Sequence, residues 1–189
     1  MKNNFPNLKL VDHPLIKKDI TLLRDKKTQP EYFRAAVRRI SNILAVEIGM
    51  TLSLKKVNVD TPLERTKGYK LDQQIILIPV LRAGLSMVSG FLDVIPDCKV
   101  GHIGLQRNEE TLEPVEYYFK IPNVDANSKI ILLDPMLATG GSASQALKYL
   151  KKRGGKKIVF GFSGLVNGEL GAKKHDAMKK AKEKGFRGA

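Results

Sequence analysis

Lys129-Ile130-Ile131-Leu132-Leu133-Asp134-Pro135-Met136-Leu137-Ala138-Thr139-Gly140-Gly141-Ser142 is the stretch on which the reading of the whole chain depends. Its apolar run, Ile130 to Leu133, has the composition of a strand covered on both faces. An acidic residue closes the run, and a loop of small residues leads into a helix predicted to start near Ser142. Thr139, Gly140, Gly141 and Ser142 can aim successive backbone N–H groups at one anion, and the helix start adds its positive end. Asp134 falls at the strand's C-terminal edge, where open parallel sheets place their ligands. A carboxylate there repels phosphate but accepts hydrogen bonds from sugar hydroxyls. The pair therefore points to a phosphorylated sugar more than to a bare nucleotide phosphate. No Lys follows the glycines, so this is not a Walker loop, and it is not G-x-G-x-x-G. Taken alone, the same residues read equally well as a plain strand–turn–helix.

Upstream, Ile75-Ile76-Leu77-Ile78-Pro79-Val80 is a second run suited to a buried strand. It delivers Leu81-Arg82-Ala83-Gly84 to its end, and a helix using Leu85, Met87, Val88, Phe91 and Leu92 follows. A third strand is predicted over Lys99 to Leu105. The charged segment from Gln106 to Pro114 then reads as a mobile loop, from which Tyr117 to Ile121 returns as a strand. Downstream, Ala146, Leu147 and Leu150 form the buried side of a helix ended by Arg153-Gly154-Gly155, and Ile158-Val159-Phe160 adds a strand. Strands alternating with helices predict an α/β fold with a mostly parallel sheet flanked by helices.

The N-terminal part is less patterned. Residues 1–30 carry short apolar groups among lysines and suggest an arm that packs on a partner subunit. Thr28-Gln29-Pro30-Glu31 reads as a capping box opening a helix, with Phe33, Val37, Ile40, Leu44 and Ile48 on one face and Arg34, Arg38 and Arg39 on the solvated one. Residues 50–72 are polar, with Val57-Asn58-Val59 a candidate strand.

At 189 residues and 42% apolar composition, the chain suffices for one domain with a real core. Cys98 is the single cysteine, which excludes an intrachain disulfide and a cysteine metal cluster. No apolar run approaches a membrane span and the N-terminus lacks a signal-peptide core, so a cytoplasmic protein is expected. The net charge of +14 is uneven: residues 151–189 hold twelve Lys or Arg against Glu169, Asp176 and Glu183. Such a balance suits anionic partners. Nucleic acid is not expected among them, because the tail lacks interleaved aromatics beyond Phe162 and Phe186. His13, His102 and His175 are scattered and read as structural or surface residues.

Three strand-end loops carry polar chemistry: Arg82, Arg107, and Asp134 to Ser142. In an open α/β sheet such loops converge on one crevice. Two arginines beside a phosphate cradle suit a second, more highly charged group, because Arg grips phosphate oxygens in a bidentate fork.

The full loop resembles the signature of type I phosphoribosyltransferases, and Asp134-Pro135-Met136-Leu137-Ala138-Thr139-Gly140-Gly141-Ser142 is similar to that of the uracil phosphoribosyltransferases in particular. Most of the wider family has a second acidic residue where this chain has Pro135, which is the uracil branch's pattern. Pro79-Val80-Leu81-Arg82-Ala83-Gly84 resembles that family's diphosphate loop, which in relatives can include a non-proline cis peptide. Arg107-Asn108-Glu109-Glu110-Thr111 resembles its flexible catalytic loop. The resemblance covers roughly residues 10–160. It implies that Arg82 and Arg107 bind the diphosphate of phosphoribosyl diphosphate, that Asp134 takes the ribose hydroxyls, and that the loop through Ser142 holds the 5′-phosphate. Arg107 and Asp134 are the implied catalytic residues. The implied reaction makes UMP and diphosphate from uracil, with Mg²⁺ carried by the substrate rather than caged by the protein, in a homodimer or higher homo-oligomer.

After Phe160 the resemblance ends. The family continues to a Tyr-Ile-Val-Pro-Gly-Leu-Gly-Asp-Ala-Gly-like hood that reads uracil, and Gly161 to Ala189 carries no match to it. A phosphoribosyltransferase domain over 1–160 and a divergent, poorly ordered basic tail over 161–189 are therefore expected, with Lys173 to Lys184 a helix candidate. The abrupt compositional shift favours a frameshifted or truncated product over natural divergence or loss of catalysis, and uracil transfer is expected to be impaired. A non-catalytic nucleotide-sensing or RNA-binding regulator on the same fold, or a transferase for another base, are the alternatives.

Overall fold

The computed structural model describes residues 8–107, 114–137 and 140–162. The expected loop over 108–113, Ala138 and Thr139, and the tail beyond Phe162 with its helix candidate lie outside the described residues.

Helix α1 spans Pro14–Arg24 and α2 Pro30–Gly49. The His13 side chain caps α1 by accepting from the Leu15 N–H, with a proline opening the first turn. The Thr28 capping box does not form. Gln29 is the N-cap of α2 without a side-chain bond, and the Thr28 hydroxyl donates instead to the Leu22 carbonyl at 2.7 Å, closing the turn between the helices. The N-terminal helix packs on its own chain: Ile16 and Leu23 are buried in one cluster with Ala36, Val37 and Ile40 of α2. Arg39, expected on the solvated face, forks onto the buried Asp19 carboxylate at 2.9 and 2.6 Å. Arg38 likewise forks onto Asp93. Phe33, expected inside, is exposed.

Strands β1 (Leu54–Asp60) and β2 (Arg65–Leu71) form an antiparallel hairpin, of which the sequence pattern showed only the Val57–Val59 part. Then come β3 (Ile75–Leu81), α3 (Leu85–Val94), β4 (Lys99–Val100), β5 (His102–Arg107), β6 (Pro114–Lys120), β7 (Lys129–Leu133), α4 (Gly141–Lys152) and β8 (Lys157–Gly161). The main sheet has the order β6-β5-β3-β7-β8, with β4 also on β3; every pairing is parallel except β5–β6. The single strand expected over 99–105 is thus two. Their pairing with β3 stops at Leu77↔Val100 and resumes at Val80↔Ile103, leaving Pro79 in the gap. This is how a proline that cannot donate to a ladder sits in a central strand.

The alternation of side chains along β3 and β7 builds two cores. Ile75, Leu77, Ile131 and Leu133 face α2 and α3, meeting Met87 and Phe91. Ile76, Ile78, Val80, Ile130 and Leu132 face α4, meeting Ala146, Leu147 and Leu150. Helix α4 ends at Gly154, whose φ of 91° lets the Gly154 and Gly155 amides turn back onto the Lys151 and Leu150 carbonyls. No helix among the described residues is long and apolar enough to cross a membrane.

Candidate active site at the reversal of strand order

From β3 the chain departs through α3 to β4 and β5 on one side, and from β7 it departs through α4 to β8 on the other. The order reverses between β3 and β7, so the connections leaving their C-terminal ends diverge and open a crevice there. Pro79 pairs with Leu133 and Leu133 with Gly161, so β3 and β8 flank the start of the Asp134 loop, with β5 one strand further out where Leu81 pairs with Gly104.

Arg82 leaves the end of β3 on an exposed turn, and no carboxylate among the described residues pairs with it. The Leu81–Arg82 peptide bond is cis. The turn closes where the Gly84 N–H donates to the Val80 carbonyl at 2.8 Å, and the Ser86 hydroxyl secures the next turn by donating to the Ala83 carbonyl at 2.7 Å. Gly84, which the sequence placed in the diphosphate-loop motif without a role of its own, sits against the carbonyl of Leu133, the residue before Asp134. The signal in the sequence was only a glycine three residues from a strand end. Its role depends on a neighbour almost fifty residues away.

Asp134 is held from both directions. Its N–H donates to the Gly161 carbonyl at 3.2 Å, and its Oδ1 accepts from the Met136 N–H at 3.1 Å. Burial pushes its carboxyl up to about 6, and the Met136 hydrogen bond offsets only part of that. Pro135 and Leu137 are buried and Met136 is half exposed, so the loop is anchored by alternate side chains. Gly140 has φ 75°, a left-handed conformation that suits glycine, and it caps α4 with its carbonyl accepting from the Ser144 N–H at 2.9 Å. The helix has no side-chain cap and no acidic residue in its first turn, so the amides of Gly141, Ser142 and Ala143 lack intrahelical partners. Lys151 and Lys152 in the last turn match the opposite pole.

Of the residues expected at one site, the fold brings Arg82, Asp134, Pro135, Met136, Leu137, Gly140, Gly141 and Ser142 to adjacent strand ends. Arg107 ends β5, three residues beyond Gly104, the partner of Leu81. Among the described residues, no group of three His, Cys, Asp or Glu side chains is placed to hold a metal ion.

The family model described as uracil phosphoribosyltransferase matches residues 10–181, running past the 160 at which the motif resemblance was expected to end. A uracil phosphoribosyltransferase of Salinibacter ruber is 46% identical over 154 residues, covering 82% of this chain and 73% of that protein. One from Fervidobacterium nodosum is 49% identical over 154 residues, covering 81% and 74%. Among solved structures, a protein of Aquifex aeolicus superposes with a TM-score of 0.75 at 34% identity, covering 86% of this chain and 80% of that one. A purine phosphoribosyltransferase from Pyrococcus horikoshii matches with a TM-score of 0.51 at 16% identity over 71% and 78%, which speaks for the fold alone. Matched over most of its length by that family model and by these relatives, this chain belongs to the uracil phosphoribosyltransferase family.

Proposed function

We propose that the chain transfers the 5-phosphoribosyl group of phosphoribosyl diphosphate to uracil, giving UMP and diphosphate. Family membership supports the reaction, and one observation supports the site: an Arg82 turn with no carboxylate partner among the described residues and an α4 N-terminus without a side-chain cap flank a half-buried Asp134 at a single strand reversal. The amides of residues 139–142 take the 5′-phosphate, and Pro135, Met136, Leu137 and Ala138 belong to the same donor-binding stretch. Asp134 accepts from the ribose hydroxyls, and Arg82 and Arg107 take the diphosphate. Breaking the anomeric C–O bond leaves an electron-poor ribose and an anionic diphosphate. The arginines hold that leaving charge more strongly in the transition state than before it, and ionised Asp134 offsets the ribose's positive charge. Carboxylate and guanidinium chemistry around an open crevice fits a Mg²⁺ that arrives on the diphosphate with its own waters, where it neutralises part of the phosphate charge.

Domain limits of 1–160 and 161–189, cytoplasmic placement and assembly as a homodimer or higher homo-oligomer belong to the same proposal. Because residues 161–189 carry no hood-like stretch, donor binding is expected to survive better than uracil transfer. Calorimetry with phosphoribosyl diphosphate and Mg²⁺ tests the site: binding is expected, with an affinity loss of at least tenfold in Asp134→Ala. Unchanged binding in that variant would remove Asp134 from the site. UMP formation from labelled uracil tests the acceptor, and turnover with another base alone would reassign it.

A further inference from the structure

We propose that Gly84 is a positioning residue that sets the span between the diphosphate and ribose-phosphate halves of the donor site; this rests on the phosphoribosyl-transfer reading above. Gly84 has φ −60° and ψ −22°, a conformation any residue adopts. Its need for glycine is therefore one of space. A Cβ at this position would lie 2.7 Å from the Val80 nitrogen and 2.9 Å from the Val80 oxygen, and closer still to the Leu133 oxygen. All three atoms are backbone, so none can swing aside as the tip of a side chain can.

The contact with the Leu133 oxygen ties the two halves of the site together, while the two with Val80 lie within the Arg82 turn itself. Arg82 lies two residues before Gly84, inside the turn closed by the Gly84 N–H and the Val80 carbonyl. Leu133 is bonded to Asp134. It is fixed from both sides, by its register with Pro79 of β3 and with Gly161 of β8. Ordinary van der Waals contact begins near 3.4 Å, so a methyl group must drive the Arg82 turn away from the end of β7. The ribose-phosphate loop stays with β7 and α4, and Arg82 moves. A misplacement on the order of 1 Å can cost about a hundredfold in rate.

Two ligands separate this role from mere packing. Ribose 5-phosphate needs only the Asp134–Ser142 side, whereas phosphoribosyl diphosphate spans both loops. Gly84→Ala is expected to weaken phosphoribosyl diphosphate at least tenfold while ribose 5-phosphate stays within twofold. Gly90→Ala serves as the packing control, because a Cβ there meets the Arg38 oxygen and Ser41 Cβ, both at 2.6 Å, between α2 and α3 and away from the site. It is expected to change both affinities alike. Equal losses of both ligands in folded Gly84→Ala, or phosphoribosyl diphosphate affinity within twofold of wild type, would overturn the proposal. If Gly84→Ala does not fold, the cycle of Arg82→Ala, Asp134→Asn and their double variant decides. A fixed span makes both groups grip one donor, so the double variant should lose less than the product of the single losses, and multiplicative losses would overturn the idea. A wild-type chain that binds ribose 5-phosphate and phosphoribosyl diphosphate equally would do so too. One that binds neither removes the phosphoribosyl reading and this inference with it.

Discussion

Asp134 carries a conflict that suits the binding role proposed for it. Burial raises its carboxyl to about 6, from an ordinary value of 3.8, and only the Met136 N–H partly compensates. The folded state thus holds the proton more tightly than the unfolded state. Stability from this group is fully present below about pH 4 and is lost as pH rises through about 6. Asp134→Asn, which keeps the acceptor for Met136, is expected to leave Tm unchanged at pH 4 and raise it by about 4 °C at pH 8. A thermal melt series across pH checks this, and equal effects at both pH values would contradict it. Donor binding follows the opposite course. Ribose hydroxyls and a cation on the diphosphate favour the ionised carboxylate, so phosphoribosyl diphosphate affinity should improve as pH rises through about 6.

Among the elements, the pair α1–α2 shows how a buried charge can escape pattern reading. Asp19 is 1% exposed and depends on the Arg39 fork, while the Arg38–Asp93 pair lies largely in solvent. Removing half-exposed Arg39 strands the buried Asp19 charge, whereas an exposed pair contributes little. Arg39→Met is expected to destabilise the fold by about 3 kcal/mol and Arg38→Met by about 0.5 kcal/mol. Urea titration of the two variants separates them. On a helical wheel the two arginines are neighbours on one polar face, which is why both read as solvated. The difference comes from α1 crossing one of them, a contact twenty residues away in sequence. The continuous apolar runs of β3 and β7 were legible because both faces are covered, and the helix after Ser142 was legible from its 3.6-residue period. The β1–β2 hairpin was half hidden, since a largely exposed ribbon leaves little apolar pattern.

At the scale of the whole molecule, the proposed donor site follows the sheet's topology, and the basic tail lies apart from it in sequence. Every residue assigned to the donor falls between Arg82 and Ser142. Deletion of residues 163–189 should therefore leave phosphoribosyl diphosphate affinity within about threefold, by calorimetry. A larger loss would place part of the tail in the donor site. Residues 130–142 by themselves determined a buried strand, an acidic edge and a glycine turn into a helix, because those properties are local: apolar continuity, two glycines and a helix start. Arg82 and Arg107 were recognisable as residues following strand patterns. That the Arg82 turn lies beside the start of the Asp134 loop was not determined by any one segment. Only the tertiary structure decided it, by reversing strand order between β3 and β7 and by seating Gly84 on the Leu133 carbonyl. The physical reason is range: hydrophobic period and backbone preference act over a few residues, whereas strand order and close backbone approach are set by packing between segments far apart in the chain.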